Sequence, residues 1–462
     1  MTALRGPNRL VRLLHKAANF FEEIWSACHR RTLRYTGDMK LSGVPLRGLI
    51  ALLALCLVLL APVARGQDMA VETGSQAGLE AWLTGFRARA LTAGITAETL
   101  DRTLPGMQFL PKVIDRDRKQ DEFTKTIWDY LDKAVSDDRI VAGQKALKKY
   151  DALLDRIEAT YPVERKVVLA IWGLESAYGA VRGDIPTLDA LATLSYDARR
   201  AVFFEAELIA ALQIVQDGVV QPSDFLGSWA GASGHTQFMP SSYQATAVSF
   251  AGTGRPDIWA DDPADALASA AAYLVKAGWK TGMNWGQEVA LPAGFDVAQT
   301  GSRTQRPMAS WTALGLTLAD GSPLPAEGWA ALLLPAGVRG PAFLVTDNFG
   351  AIEAYNRADS YVIAVGHLAD RIGGAGPFRH DWPRDLRALT LPERQEMQTR
   401  LMAEGVYSGE ADGKVGPLTL GAVKAFQRAQ GMAPDSYASL EVLEALRARQ
   451  GAAIPVVAVT AD

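Results

Sequence analysis

Cysteine is almost absent from the sequence: its 462 residues include only two, Cys28 and Cys56, and both lie near the N-terminus. A chain that begins after residue 66 would contain no thiol and no disulfide bond, so its stability would depend on a hydrophobic core alone. Histidine is also scarce, and the copies after residue 66 lack the spacing of metal ligands: His235, His367 and His380. No glycine-rich phosphate-binding loop follows a predicted strand. The sequence therefore predicts neither a metal centre nor a cofactor.

Long hydrophobic segments are also lacking, with one exception near the N-terminus. Residues 49–61, LIALLALCLVLLA, form an apolar run of 13 residues, shorter than the roughly 20 that a membrane-spanning helix needs. Basic residues precede this run, and the small residues Ala64 and Gly66 follow it at the positions of a cleavage site. We therefore expect residues 1–66 to be a signal-peptide region, with Met39 as an alternative start. The mature protein is expected to be a soluble periplasmic monomer without stable membrane insertion, and an uncleaved signal anchor is the alternative.

An excess of acidic side chains argues against two classes of partner. Residues 1–66 contain ten Lys or Arg and three Asp or Glu, so their removal changes the net charge of the chain from −4 to −11. Phosphate backbones and anionic lipid surfaces repel such an acidic protein. We therefore expect no nucleic acid as a partner, and no membrane surface.

The most informative stretch of the sequence is PVERKVVLAIWGLESAYG at residues 162–179. Its apolar residues recur with the spacing of a helix that has one buried stripe: Val163, Val167, Ile171, Leu174 and Tyr178. Pro162 suits the first turn of this helix, and Gly179 suits its C-terminal end. Glu175 lies on the same side as the stripe, where burial raises the pKa of a carboxyl group, as a general acid requires. The periodicity alone also fits a glutamate that simply reaches water.

Helical patterns dominate the remaining sequence and fill four further stretches: residues 79–161, 187–218, 264–278 and 351–372. The glycine-rich residues 224–240 interrupt them, and residues 287–346 contain the strand-like runs QEVALP, WAALLLP and AFLVT. A segment with Gly and Pro at residues 374–390 is predicted to be a linker before a last helical unit at residues 391–450. We predict a mainly α fold with a small β-containing insertion.

Four segments in this order resemble the lytic murein transglycosylase B family of the lysozyme-like superfamily. They are WGLESAYG (172–179), LATLSYDARRAVFFEAEL (191–208), GSWAGASGHTQFMPSSY (227–243) and YNRADSY (355–361). The resemblance implies a lysozyme-like catalytic domain at residues 79–373, in which Glu175 is the single catalytic acid. It also implies a set of residues that line a glycan-binding cleft: Ser228, Gln237, Phe238, Met239, Tyr355, Asn356 and Tyr361.

The last helical unit resembles the type 1 peptidoglycan-binding domain. The similarity lies in the DGKVG turn at residues 412–416 and in AFQRAQG at residues 425–431. It implies that Asp412 and Gly413 form a turn between helices and that Phe426 belongs to a small core. A generic helical bundle is the alternative for this unit.

One segment departs from the family pattern. Relatives can have a calcium loop of EF-hand type directly after QFMPSSY, whereas this chain has SFAGTGRPDIW there. The alternating positions are occupied by Ser249, Ala251, Thr253 and Arg255. Calcium binds several carboxylate oxygens, so we predict that this loop holds no calcium.

The resemblance implies that peptidoglycan glycan strands are the substrate. The bond between N-acetylmuramic acid and N-acetylglucosamine would be cleaved with formation of a 1,6-anhydro sugar, and one glutamate would act first as acid and then as base. Two alternatives stay open. A hydrolytic muramidase would need a second carboxylate, for which three residues lie near enough in the sequence: Asp184, Asp189 and Asp197. A non-catalytic wall-binding protein would keep only the cleft and the C-terminal unit.

Overall fold

The computed structural model of the chain describes residues 74–118, 125–299 except 251 and 253, and 304–451. The predicted signal-peptide region at residues 1–66, with Met39, lies outside the described residues. The described part is mainly helical, with one two-stranded ribbon and one five-stranded sheet, which confirms the predicted fold class. Among the described helices, none is both long enough and apolar enough to span a membrane.

The N-terminal part of the described chain forms a series of short helices: α1 (Gln76–Thr92), α2 (Ala97–Thr103), α3 (Pro111–Arg118), α4 (Ile127–Ala134), α5 (Asp137–Lys149) and α6 (Asp151–Thr160). The hydroxyl groups of Ser75 and Thr96 cap α1 and α2. Thr126 forms a reciprocal capping box with Asp129 at the start of α4. Because each such cap contributes about 1 kcal/mol, the predicted helical stretch divides at these residues into separate helices.

The central helix α7 (Arg165–Ser176) is shorter than the helix predicted for residues 162–179. Gly179 does not end it, because Ala177 and Tyr178 already adopt left-handed φ angles of 49° and 59°. Left-handed residues stop a helix, since they turn the chain away from its axis. The C-cap residue is Ala177, so Gly179 lies one position beyond the predicted C′ position, and three successive left-handed residues form the exit from α7.

The burial of α7 also differs from the predicted single stripe. Residues 167–173 are all buried, because the helix packs against α5, α6 and two helices that follow later in the chain. A helix that is covered on nearly every side lies in the core of its domain. Glu175, the penultimate residue of α7, therefore lies at the end of a helix that four other helices enclose.

Four helices lie between the central helix and the sheet: α8 (Thr187–Tyr196), α9 (Ala201–Gln216), α10 (Pro240–Thr246) and α11 (Ala264–Lys276). The helical stretch predicted at residues 187–218 consists of α8 and α9, which pack against each other. The predicted helix that follows Pro263 is confirmed by α11, in which the residues from Ala264 to Ala271 are all buried. One hydrophobic core surrounds α7, and α8, α9 and α10 form a second core together with α1 and α2, while α11 contributes to both.

The glycine-rich residues 224–240 fold as a compact loop before α10. A two-stranded antiparallel ribbon of β1 (Ile185–Pro186) and β2 (Leu226–Gly227) joins this loop to the segment after α7. Gly183 has a φ angle of 91°, and a Cβ atom there would lie 2.2 Å from the carbonyl group of Gly227. Only glycine allows two backbones to approach so closely, so the loop is held directly against the exit from α7.

The predicted β-containing insertion is a five-stranded antiparallel sheet. Its strands are β3 (Gly286–Ala290), β4 (Arg306–Pro307), β5 (Thr317–Leu318), β6 (Trp329–Leu333) and β7 (Ala342–Val345). They are arranged in the order β4-β6-β7-β3-β5. The short helix α12 (Met308–Ala313) contributes the fully buried Trp311 to the core of the insertion. The three predicted strand-like runs correspond to β3, β6 and β7.

The predicted helix at residues 351–372 is divided into α13 (Asp347–Glu353) and α14 (Asp359–Ile372). In the break, the Oδ1 atom of Asn356 accepts a hydrogen bond from the backbone N–H of Ala358 at 3.1 Å. An asparagine that bonds the backbone two residues ahead favours a turn over a helix. Asn356 and the preceding Tyr355 therefore lie in a turn immediately before α14, which packs along α7.

The C-terminal unit contains three helices, α15 (Leu391–Ala403), α16 (Pro417–Ala429) and α17 (Leu440–Gln450). Asp412 and Gly413 form the expected turn, where Gly413 has a φ angle of 74° and Asp412 accepts the N–H of Lys414 at 2.8 Å. The fully buried Gln398 holds this turn by accepting the N–H of Gly413 at 2.6 Å. Phe426 is 1 % exposed and lies in the core of the unit, as expected.

Residues 374–390 contain no helix or strand, but they pack against the rest of the chain. The ring of Phe378 stacks on His367 of α14 with centroids 3.8 Å apart. Burial lowers the pKa of His367 to about 4, so this stack is formed by a neutral ring near pH 7.

A hydrogen bond joins the C-terminal unit to the β insertion: the Oδ2 atom of Asp435 accepts the N–H of Val338 at 3.0 Å. The C-terminal unit therefore contacts the β insertion directly.

Candidate active site

Glu175 lies half-buried in the last turn of α7. The hydroxyl group of Tyr361, from the first turn of α14, donates a hydrogen bond to its Oε1 atom at 2.6 Å. Burial, followed by the nearby charge of Glu175, raises the pKa of Tyr361 well above its ordinary value, so this hydroxyl remains a donor. Because a short O–H···O bond to a carboxylate is among the stronger protein hydrogen bonds, it fixes the direction of the Glu175 side chain.

A group of three aromatic rings lies close to this pair. Tyr273 and Tyr355 have ring centroids 4.9 Å apart, and Phe238 lies 5.8 and 5.9 Å from them. Tyr355 donates its hydroxyl proton to the carbonyl oxygen of Thr236 at 2.6 Å. Burial first, and then the charge of Glu175, raise the pKa of Tyr355 well above its ordinary value. Tyr355 lies in the turn that leads into α14, six residues before Tyr361.

Phe238 is only 2 % exposed, so it supports the two tyrosine rings and does not present its own ring to solvent. This placement differs from the expectation that Phe238 lines the cleft surface. The reason is that Phe238 pairs with Ser233 across the glycine-rich loop, which turns its side chain into the second core. Tyr273 belongs to the same group of rings and was missed in the sequence, where it is one of many apolar residues of α11.

The polar side chains of the glycine-rich loop bond mainly to backbone. Ser228 accepts two N–H groups of its own turn at 3.2 and 3.3 Å. Gln237 has a left-handed φ angle of 49°, and its Nε2 atom donates to the carbonyl oxygens of Arg182 and Gly234, each at 2.9 Å. Met239 is half-buried directly before α10. Ser228 and Gln237 thus determine the shape of the loop.

The three aspartates considered as a second carboxylate occupy separate environments. Asp197 forms an ion pair with Arg118 of α3 at 2.6 Å. Asp189 contacts the backbone of Gln108, and its pKa is raised by burial. Asp184 is exposed, next to the close contact between the segment after α7 and the glycine-rich loop. The neighbours of Asp189 and Asp197 therefore belong to α3 and the segment before it.

The loop where relatives can bind calcium is held by a protein carboxylate. Asp265 of α11 is buried, and its two oxygens accept the N–H groups of Phe250 at 2.6 Å and of Asp257 at 2.8 Å. Ala251 and Thr253 lie outside the described residues. In the part of the chain that the structure describes, no three side chains of His, Cys, Asp or Glu come together as a metal site.

His235, to which the sequence assigned no role, is buried beside the helix that contains Glu175. Its Nδ1 atom accepts the indole N–H of Trp172 at 3.1 Å, and its backbone oxygen accepts the hydroxyl of Ser176 at 2.5 Å. These two partners precede and follow Glu175 in the sequence. No periodicity or motif indicates such a contact, because it joins residues about sixty positions apart.

Sequence families match both parts of the described chain. The Transglycosylase SLT domain family matches residues 78–370, and a peptidoglycan binding domain family matches residues 390–446. The membrane-bound lytic murein transglycosylase B of Escherichia coli K12 is 36 % identical over 250 residues, which are 53 % of this chain and 66 % of that protein. The match thus spans just under two thirds of the curated relative.

Solved structures of similar chains agree with these families. SltB3 from Pseudomonas aeruginosa, in complex with NAG-anhNAM-pentapeptide, is 44 % identical and has a TM-score of 0.77 over 80 % of this chain and 99 % of that one. The lytic transglycosylase Slt35 from Escherichia coli, in complex with calcium, is 30 % identical with a TM-score of 0.57, over 66 % and 97 % of the two chains. The resemblance predicted from the four sequence segments is confirmed, and the chain belongs to the transglycosylase SLT domain family.

Proposed function

We propose that this protein is a lytic transglycosylase that cleaves the β-1,4 bond between N-acetylmuramic acid and N-acetylglucosamine in peptidoglycan. The hydrogen bond from Tyr361 to Glu175 is the main support, because it orients one carboxyl group in a domain of the transglycosylase family. The related SltB3 binds NAG-anhNAM-pentapeptide and NAG-NAM-pentapeptide. These complexes support peptidoglycan fragments as ligands of this chain as well.

In the first step, Glu175 acts as a general acid. Its carboxyl proton moves to the glycosidic oxygen, the bond from that oxygen to C1 of the muramic acid breaks, and N-acetylglucosamine leaves with a free 4-hydroxyl group. Positive charge develops at C1 and the ring oxygen. The carboxylate that remains lies next to this charge and stabilises it.

In the second step, Glu175 acts as a base. The 6-hydroxyl group of the same muramic acid attacks C1, and its proton returns to the Glu175 carboxylate. The product is a 1,6-anhydro sugar, the carboxyl group is restored, and no water is consumed. One carboxylate is sufficient because the attacking hydroxyl belongs to the substrate, which gives it a high effective concentration at C1.

The residues around Glu175 are proposed to bind and orient the glycan. Tyr361 holds the carboxyl group, and the turn before α14 presents Tyr355 and Asn356 to the sugar. The side chains of Ser228 and Gln237 bond to backbone groups and so shape the glycine-rich loop. The backbone of this loop would then contact the N-acetyl and hydroxyl groups of the glycan. Met239 would contribute apolar surface to a sugar ring, and Phe238 packs against the rings of Tyr273 and Tyr355.

Analysis of the products distinguishes transglycosylation from hydrolysis. After digestion of peptidoglycan in ¹⁸O-labelled water, mass spectrometry should find unlabelled 1,6-anhydro ends. Incorporation of label at reducing ends would contradict the proposal and would point to a second carboxylate among Asp184, Asp189 and Asp197. Of these three, Asp197 is already paired with Arg118 at 2.6 Å.

We further propose an extracytoplasmic, periplasmic location, since the substrate lies outside the cytoplasm. The apolar run at residues 49–61 and the small residues at positions 64 and 66 support removal of residues 1–66, with a mature chain that begins near Gln67. Sequencing of the N-terminus of protein isolated from its native cell tests this, and recovery of residues 49–61 in the membrane fraction would contradict it. We propose that the mature protein acts as a monomer.

The chain is proposed to divide into a catalytic domain at residues 79–373, a linker at 374–390 and a wall-binding domain at 391–450. A chain that ends at Arg387 should cleave soluble glycan fragments at a rate within about threefold of the full chain. Its pelleting with insoluble sacculi should fall by about tenfold or more, because a second binding module multiplies affinity for a polymer. Complete loss of cleavage would show that the last unit belongs to the catalytic fold.

A matched variant separates binding by the last unit from its contact with the β insertion. Asp435→Asn replaces the Oδ2 acceptor of the Val338 N–H by an amide group and keeps the Oδ1 atom that accepts Gln427 and Tyr437 within the unit. If the unit binds the wall by itself, this variant should pellet as the unaltered protein does. A loss equal to that of the shortened chain would instead make the contact itself necessary for wall binding.

A further inference from the structure

His235 is connected to both sides of Glu175 by hydrogen bonds. Trp172, three positions before Glu175, donates its indole N–H to Nδ1 of His235 at 3.1 Å. Ser176, the next residue after Glu175, donates its hydroxyl proton to the backbone oxygen of His235 at 2.5 Å. The last turn of α7 is thereby joined to the glycine-rich loop at two points.

The partners of the imidazole ring determine its tautomer. An indole N–H can only donate, so Nδ1 of His235 is the acceptor and has no proton. The Nε2 atom lies 2.8 Å from the carbonyl oxygen of Ala260, which can only accept, so Nε2 has the proton. The backbone N–H of His235 also donates to the carbonyl of Ile258 at 3.0 Å. The ring is therefore neutral and connects α7 to the segment after residue 257.

The ring fits its site closely. His235 is 4 % exposed, and its ring lies 5.7 Å from that of Trp172 at an angle of 62°. A Cβ atom at Gly179, where φ is 86°, would lie 2.6 Å from Nδ1 and Cε1 of His235. The left-handed exit from α7 thus passes directly over the ring, which explains why this position needs glycine.

We propose that His235 is a positioning residue that holds Glu175 in its working direction through Trp172 and Ser176. The inference rests on the proposed function, because it concerns the same carboxyl group. His235 is two residues before Gln237, so it also sets the distance between the glycan-binding loop and Glu175. A displacement of about 1 Å in such an arrangement reduces turnover up to about 10²-fold.

Charged groups act on the ring in both directions. The Nη1 atom of Arg182 lies 3.4 Å from Nε2 and disfavours a charged ring, while Asp261 and Asp262 favour it. On α7, Glu175 is the ionisable residue between the two partners Trp172 and Ser176. Burial is the largest effect and lowers the pKa of His235. Protonation would place a second N–H at Nδ1, facing the N–H of Trp172. The arrangement is therefore complete above the lowered pKa and is lost as the pH falls through it.

Two substitutions at this position separate the hydrogen bond from packing. His235→Phe keeps a buried ring without an acceptor for Trp172, and kcat should fall about 10- to 100-fold while KM changes less than about threefold. In His235→Asn, the Oδ1 atom lies near the place of Nδ1 and does not titrate. We expect the unaltered protein to show an acid-side decline in kcat, and we expect His235→Asn to recover at least half of the lost kcat and to lack this decline.

Two outcomes would overturn the proposal. One is a folded His235→Phe protein with unaltered kcat. The other is an equal loss in both variants with the acid-side decline retained, which would make His235 a packing residue only. Inactivity of the unaltered protein on peptidoglycan would be a different result, since it would contradict the proposed function itself.

A spectroscopic measurement on the unaltered full chain does not depend on the variants folding. Nitrogen-15 NMR of the histidine rings should assign to His235 a protonated Nε2 and an unprotonated Nδ1 near pH 7. The indole proton of Trp172 should exchange slowly and should shift when His235 titrates at acidic pH. Detection of the Nδ1–H tautomer would contradict the proposal.

Discussion

Replacement of Glu175 by Gln should leave the chain folded and able to bind glycan, while turnover falls by about 10² to 10⁴ or more. Glutamine has nearly the same shape, so the Tyr361 hydroxyl can still donate to its side-chain oxygen. It has no proton to transfer to the leaving oxygen, however, and it cannot take one back from the 6-hydroxyl group. Because one residue performs both transfers, the loss should lie at or beyond the upper end of this range. Steady-state release of anhydro products measures it.

A control substitution tests whether the loss is specific. Glu98 is an exposed residue in the first turn of α2, and Glu98→Gln should have the kcat of the unaltered protein. Binding of soluble glycan by Glu175→Gln, measured by calorimetry, should remain within a few-fold of the unaltered protein. Turnover of Glu175→Gln close to that of the control would remove the assignment of Glu175 and with it the proposed mechanism.

The sequence predicted the elements of the fold well where local signals decide them. The helix around Glu175 was predicted from apolar periodicity, and the sheet was predicted from three short runs with β-branched and aromatic residues. The C-terminal end of α7 was not predicted correctly, because Ala177 and Tyr178 have no intrinsic preference for the left-handed conformation that they adopt. Their conformation depends on tertiary contacts, including the hydroxyl of Tyr178, which donates to the carbonyl of Arg139 at 2.8 Å.

The candidate site was only partly predictable for the same reason. Motifs placed Glu175 and Tyr361 in one family pattern, but the hydrogen bond between them joins residues 186 positions apart. Phe238 was expected at the cleft surface, whereas the loop register places it in the core. His235 and Tyr273 act through contacts with other elements, and no spacing in a single segment reveals such contacts. Sequence patterns therefore identified the reacting group better than the residues that hold it.

Tyr361→Phe isolates the hydrogen bond that orients the carboxyl group. Phenylalanine fills the same buried volume, so packing between α7 and α14 should be almost unchanged, and only the hydroxyl donor is lost. A hydrogen bond to a charged group contributes about 1.5–3 kcal/mol, so kcat should fall about 10- to 100-fold. We expect KM to change less than about threefold, because Tyr361 is 4 % exposed and has little surface to offer the glycan.

The matched control is another tyrosine with a buried hydroxyl. Tyr243 donates to the carbonyl oxygen of Pro256 at 2.6 Å and is 7 % exposed, but it lies on α10, away from the carboxyl group. Tyr243→Phe also loses a hydroxyl donor whose bond is 2.6 Å long, so its thermal stability should fall as well, while its kcat should stay within twofold of the unaltered protein. If both variants lost turnover equally, the effect would come from general destabilisation. A loss of turnover confined to Tyr361→Phe would show that the Tyr361 hydroxyl orients Glu175 for both proton transfers.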